Sequence, residues 1–348
     1  MDIRTEFSQM VGEVEAEMSA ILEEHRGPAR PLYEMLAYHL GLDGSNGSSG
    51  KRIRPLLGLL VYRSLGGDYQ RALPGAAAVE LGHNFSLVHD DIQDGDRERR
   101  HRPTLWARYG IPQAINAGDA LFALSRLALY RLASDENEKD PEAPDARQVL
   151  ELMRIYDQTC LALCEGQYLD ISFEGRLDVT VDEYLRMIDL KTAHLMAAGV
   201  EAAAILASKD PTVIGALRRF GDRLGLAFQM ADDVKGAFWD ESASGKAEAG
   251  DLRRRKKTMP VIWALNHASE TDQARLRELF APGDGDRQLT DVEVAEAAAI
   301  LERSGARDTT LAEARRYRDE ALAELGAVPL DPNAKRDLVL FVEAVIAA

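Results

Sequence analysis

Two apolar helical stretches of this chain each run into a pair of aspartates, and this limits the folds open to it. Leu81 to Val88 leads into Asp90-Asp91-Ile92-Gln93-Asp94, and 142 residues later the run Leu224 to Met230 leads into Asp232-Asp233. An α-helix turns about 100° per residue, so Asp90 and Asp94 fall about 40° apart on one face, one turn from each other. Carboxylates stacked in this way repel, and at the C-terminal end of a helix they also oppose the macrodipole. A costly feature that occurs twice reads as a site. A divalent cation held by oxygens would relieve the repulsion, and Mg²⁺ takes one or two carboxylates together with substrate phosphates. The basic cluster Arg97, Arg99, Arg100 and Arg102 follows the first pair directly and suits such a phosphate.

The rest of the chain reads as helix nearly throughout. Ala and Leu recur at three- and four-residue spacing, and no convincing alternating strand occurs. Thr180-Val181-Asp182-Glu183 is a capping box, and Asp210-Pro211 supplies an N-cap and a first-turn proline for the helix that the second acidic pair closes. Three polar breaks stand out, at 41–50, 134–145 and 241–257; the first leads into Lys51, the third carries lysines, and both read as candidate lids. With 348 residues and 46 % hydrophobic content the chain can bury one large core. These readings give an all-α fold: a single antiparallel helix bundle over 1–348 around a central cavity, roughly 60–70 % helical. A motif-bearing core spans about 50–264, and further helices follow over 265–348.

A net charge of −16 argues against nucleic acid or anionic membrane as general partners. Cys160 and Cys164 lie four apart, so a disulfide framework or zinc site is not expected, and both thiols are expected to be buried. No signal-type segment or run of 18 apolar residues occurs, so no membrane span and a cytoplasmic location are expected.

The ordered set of short motifs resembles the trans-isoprenyl diphosphate synthases, or polyprenyl synthetases. Gly50-Lys51-Arg52-Ile53-Arg54-Pro55 is similar to the family's GKxxRP element, and His89 to Asp94 to its first Asp-rich motif. Arg99-Arg100-His101-Arg102-Pro103-Thr104 is similar to RRGxPT, with His101 where Gly is usual. Ala117-Gly118-Asp119, Gly166-Gln167, Lys191-Thr192, Phe228-Gln229-x-x-Asp232-Asp233, Gly245-Lys246, Asp251-Leu252-Arg253 and Lys256-x-Thr258 follow in the family's order.

The resemblance implies the isoprenoid synthase fold, a homodimer, and a short-chain prenyltransferase that joins isopentenyl diphosphate to an allylic diphosphate. It implies Mg²⁺, three ions per site, held by Asp90, Asp94 and Asp232 with Asp91 and Asp233 in support. Arg99, Lys191 and Lys256 would contact the allylic diphosphate. Lys51, Arg54, His83 and Arg100 would bind isopentenyl diphosphate, while Thr192 and Gln229 would turn oxygen lone pairs toward the allylic cation. Phe85, five residues or about 7.5 Å before Asp90, would form the floor that stops the growing chain, and small Ser86 would leave room above it. On that basis the product is expected to be geranylgeranyl diphosphate. Farnesyl diphosphate, or a class I terpene cyclase on the same fold, are the alternatives. The second motif departs from DDxxD: Gly236 replaces its third carboxylate, and Asp240 lies one turn on. If Asp232 alone makes the metal bond, restoring Asp at position 236 is expected to change turnover only modestly.

Overall fold

The computed structural model describes residues 3–44, 50–133, 143–208, 210–238, 249–281 and 288–347. The helices are, in order, α1 (Ile3–Glu24), α2 (Arg30–Leu40), α3 (Ile53–Ser64), α4 (Leu73–Gln93), α5 (Leu105–Tyr109), α6 (Ile111–Tyr130) and α7 (Ala146–Phe173). They continue as α8 (Val181–Ile188), α9 (His194–Ala207), α10 (Pro211–Phe238), α11 (Gly250–Arg253) and α12 (Met259–His267). The last four are α13 (Glu270–Leu279), α14 (Asp291–Arg303), α15 (Ala306–Glu324) and α16 (Pro332–Ile346). Among the described residues the strands are two short ones, β1 (Glu98–Arg99) and β2 (Arg102–Pro103), paired antiparallel.

Among the described residues about 81 % are helical, above the sequence expectation. The excess has a simple origin: successive helices abut with almost no linker. Gly110, at φ 84°, is all that separates α5 from α6. A five-residue π-helical turn, Asp189–Ala193, joins α8 to α9 without a break. The capping box at Thr180 forms, with Thr180 N donating to Glu183 Oε2 at 2.9 Å. Asp210 caps α10 through Thr212 N at 2.8 Å. That helix does not stop at its acidic pair, however. It runs on to Phe238 because Val234 and Ala237, each 1 % exposed, extend its apolar face.

The chain divides into two compact units. The first comprises Met1–Cys160, Leu195–Arg218 and Leu325–Phe341; the second comprises Leu161–His194, Arg219–Glu324 and Val342–Ala348. In the second, α12 to α15 bury Leu276, Phe280, Ile300 and Leu301 in a core of their own. In the first, the core surrounds one buried ion pair. Arg52, 2 % exposed and in left-handed backbone at φ 48°, donates from Nη1 to Glu80 Oε1 on α4 at 2.7 Å. Its other nitrogens reach Glu15 on α1 and the Leu40 carbonyl that ends α2. Asn84 Nδ2 donates to the same Glu80 oxygen at 3.0 Å.

Val181–Ala207 is long and apolar enough by composition to cross a membrane, but 67 % of its apolar window is buried within the protein. Cys160 is buried and Cys164 exposed, which corrects the expectation of two buried thiols. Four residues along a helix advance about 40° around the axis, enough to bring the second sulfur to the surface.

Removing one member of a buried, hydrogen-bonded ion pair strands the other's charge, at a cost of about 3–5 kcal/mol. Glu80→Ala should therefore lower the unfolding free energy by about that amount in a chemical denaturation series. A loss below about 1 kcal/mol would mean that Arg52 is held by its other two contacts alone.

Candidate active site

The first acidic motif lies at the end of α4. Asp94 is the C-cap, still in right-handed helical backbone, and its N–H donates to the Asp90 carbonyl at 2.8 Å. The helical turn between them is intact, so both half-buried carboxylates stack on one face, while Asp91 points inward at 2 % exposure. Burial pushes the Asp91 carboxyl up to about 6, even though Arg99 donates to it from Nε at 2.8 Å. Arg99 is thereby fixed at the base of the β1–β2 hairpin. The hairpin's two turn residues, Arg100 (φ 53°) and His101 (φ 61°), both adopt the left-handed conformation that a two-residue turn of this kind demands. His101 therefore occupies a position at which glycine would be unstrained.

Arg100 leans over Gly50: a Cβ there would fall 2.7 Å from the guanidinium carbon. Lys51 is exposed beside it. Arg54 Nη1 lies 3.1 Å from His83 Nε2. A guanidinium has only donors, so His83 Nε2 accepts and the ring is neutral. Burial, then the charges of Arg54, Arg100 and Arg99, hold the His83 imidazole well below its usual range. Arg54 and Arg100 thus bring positive charge to His83 within the first unit, and Lys51 stands exposed at the start of the same segment as Arg54.

One turn before His89, Phe85 is buried and meets Phe122 of α6 edge-on at 5.3 Å. Ser86 is half-buried and donates to the His83 carbonyl at 2.8 Å.

In the second unit, the π-turn that carries Lys191 and Thr192 is gripped by two glycines. A Cβ on Gly166 of α7 would fall 2.4 Å from Lys191 N, and one on Gly225 of α10 would fall 2.4 Å from Ala193 Cα. Only glycine permits such a close backbone approach. Asp170, one turn beyond Gly166, pairs with Lys191 Nζ. Thr192 Oγ1 donates to Gln229 Oε1 at 2.7 Å, and Gln229 Nε2 donates to Asp233 Oδ1 at 2.9 Å. Asp233 also accepts from Tyr184 Oη at 2.6 Å and from Met259 N at 3.0 Å. Its burial outweighs these three donors and raises the carboxyl to about 7. Asp232, its neighbour, stays half-buried, and Lys256 lies in the half-buried segment before α12. Asp189, His194 and Asp222 bring ligating atoms within 4.8 Å of one another, with the His194 Nδ1 edge against the Asp189 carbonyl at 3.0 Å.

Three residues here carried no role in the sequence reading. Asp170 stands three places after Gln167, and its spacing from Gly166 was the available signal. Phe122 gave none, because its partnership with Phe85 depends on how α4 packs on α6. Asp251 stood in a quoted motif without a task, and its carboxylate fills the space beside Gly236. A Cβ on Gly236 would lie 1.8 Å from Asp251 Oδ2. Asp240 and Gly245-Lys246 lie outside the described residues.

Residues 33–298 match the family model for polyprenyl synthetase, so the chain belongs to that family. It has the isoprenoid synthase fold and is a short-chain prenyltransferase, a transferase acting on isopentenyl and allylic diphosphates. Two Mycobacterium tuberculosis proteins are similar to it. A (2E,6E)-farnesyl diphosphate synthase is 39 % identical, over 86 % of this chain and 80 % of that protein. A geranylgeranyl diphosphate synthase is 41 % identical, over 86 % and 82 %. The crystal structure of a Caulobacter crescentus polyprenyl synthase complexed with calcium and isoprenyl diphosphate superposes with a TM-score of 0.81 at 29 % identity, covering 98 % of both chains.

The contact between Gly236 and Asp251 reverses one expectation. Gly236→Asp obliges the Asp251 carboxylate to shift and should cut kcat roughly tenfold or more, about 1.4 kcal/mol of barrier, rather than change it modestly. Steady-state turnover at saturating substrates reads this directly, and an unchanged kcat would show that the Asp251 carboxylate can move without consequence.

Proposed function

We propose that the enzyme makes geranylgeranyl diphosphate by ionisation, condensation and proton loss, with farnesyl diphosphate as the alternative product. The observation that supports this most is the stacked pair Asp90 and Asp94 in the same unit as Arg54 and Arg100 close to His83, which with Lys51 would form a separate basic pocket. Oxygen-only donors suit a hard cation such as Mg²⁺, and calcium in the C. crescentus complex is of the same kind. Asp90, Asp94 and Asp232 would hold the metal, three ions in the full site, which would neutralise the departing diphosphate when bound.

The chain's own residues would do the rest. Arg99, fixed by Asp91, Lys191, fixed by Asp170, and Lys256 would meet the charge that builds on the allylic diphosphate as its carbon–oxygen bond breaks. The Thr192 hydroxyl spends its only proton on Gln229, so its oxygen offers lone pairs alone. Such an oxygen can face a carbocation without acting as a base. Gln229 is locked in turn by Asp233, whose three donors account for its oxygens and give it a supporting role. The double-bond electrons of isopentenyl diphosphate would attack the cation, and the released diphosphate would take the final proton. A terpene cyclase would have no use for the isopentenyl pocket.

The whole chain would serve this one reaction as a single catalytic domain. Asp90→Ala and Asp232→Ala should each abolish turnover, whereas Arg54→Ala should chiefly raise the KM for isopentenyl diphosphate. A main effect of Arg54→Ala on the allylic KM would mean that the two substrate sites have been exchanged.

Phe85, backed by Phe122, is the floor in this reading. Phe85→Ala should lengthen the product by one or more C5 units in labelled product analysis, and an unchanged distribution would remove Phe85 from that role.

A second copy of the chain is the proposed partner. Helix α6 exposes Ile111, Ile115 and Tyr130, and α7 exposes Leu150, Leu161 and Tyr168, the last at 72 %. Two helices with apolar side chains turned to solvent suit a self-complementary interface. Sedimentation should give a dimer that Leu161→Glu with Tyr168→Glu dissociates; a wild-type protein sedimenting as one chain would rule it out. A cytoplasmic location fits water-soluble diphosphate substrates, and cell fractionation would recover the activity with membranes if it were wrong.

A further inference from the structure

The basic pocket has a wall that the sequence motifs do not announce. His39 is the penultimate residue of α2, twelve positions before Lys51 and outside every quoted motif. Its Nε2 is shut off from solvent and has no hydrogen-bond partner within the protein. The charges of Arg99, Arg100 and Arg52 and the backbone of Asn84 act on the ring, and the next residue's carbonyl, Leu40 O, accepts from Arg52. A charge on His39 would also be felt at His83. Of these groups, Arg52 is matched by Glu80 and Glu15, and Arg99 by Asp91. A buried polar atom with no partner costs about 1–3 kcal/mol, so its retention calls for an explanation.

We propose that His39 belongs to the anion pocket, its Nε2 donating a hydrogen bond to the diphosphate of isopentenyl diphosphate. This rests on the assignment of Lys51, Arg54, His83 and Arg100 to that substrate. The chemistry follows from the surroundings. Burial, with Arg99, Arg100 and Arg52 nearby, pushes the imidazole down to about 3, so at neutral pH it is uncharged and carries one ring proton. With that proton on the nitrogen that faces the Asn84 carbonyl, Nε2 is a bare acceptor among cations that already hold their own protons. A diphosphate reverses the sign of the local field. One proton taken from solvent then converts Nε2 into a donor, and the imidazolium meets an anion instead of three guanidinium groups.

The test is calorimetric titration of isopentenyl diphosphate, and separately of inorganic pyrophosphate, into the full-length wild-type and His39→Gln proteins. Two buffers of different ionisation enthalpy at pH 7 report the protons exchanged. The wild type should take up about one proton more than the variant and bind both ligands roughly tenfold tighter, the worth of one charge-assisted hydrogen bond. The variant's KM for isopentenyl diphosphate should rise by about the same factor, more than its KM for the allylic substrate. Equal affinities and proton counts in the two proteins would overturn the inference and leave the pocket assignment standing. A wild-type protein that binds pyrophosphate but not isopentenyl diphosphate would overturn the assignment itself. Should His39→Gln fold poorly, His39→Asn serves as the comparison variant. With ¹⁵N-labelled histidine, the ring signal missing from the variant's spectrum must move from the neutral to the imidazolium pattern as pyrophosphate saturates the site. A ring that stays neutral contradicts the proposal.

Discussion

The buried pair of Arg52 and Glu80 is the interaction on which the first half of the molecule depends. Taking two charges out of water is expensive, and the cost is recovered only when every proton and lone pair finds a partner. Here the guanidinium spans α1 through Glu15, the end of α2 through the Leu40 carbonyl, and α4 through Glu80. One side chain thus sets the relation of three helices. It also fixes where the chain enters α3, which leaves Lys51 exposed and turns Arg54 toward His83 on α4, one turn from Glu80.

The second half solves a different problem. In the proposed reaction Thr192 would offer oxygen to a reactive cation without offering a base, and its geometry comes from a chain of donors and acceptors anchored on a buried carboxyl. Tyr184, Met259 and Gln229 all donate to Asp233, and Gln229 turns its carbonyl to Thr192. The π-turn makes room for this. Its extra residue brings Lys191 and Thr192 out of ordinary helical register, and Gly166 and Gly225 let the flanking helices close on the bare backbone.

Much of this was legible in the sequence because it follows from local rules. The capping box at Thr180, the cap at Asp210 and the stacking of Asp90 on Asp94 need only helix geometry. What was not legible depends on tertiary packing. The extent of α10 beyond Asp232 is decided by burial of Val234 and Ala237, and the exposure of Cys164 by which face of α7 meets the core. Phe122 matters only through Phe85, and His39 only because the end of α2 meets the β1–β2 hairpin, where Arg102 lies 3.8 Å over the Tyr38 ring. Asp91 and Asp233 share their type with Asp90 and Asp232 but face inward, a difference of one position in helical phase.

The close fit of Gly236 against Asp251 also bears on descent. Enzymes that carry a third aspartate in the second motif and enzymes that carry glycine there differ, in a sequence comparison, by one residue. In this protein they are not one step apart, because any side chain at 236 meets a carboxylate 1.8 Å from its first carbon. Residue 251 would have to shorten, or the turn Gly250–Arg253 move, before the aspartate could return. The two positions are therefore coupled: a side chain at 236 requires an adjustment at 251.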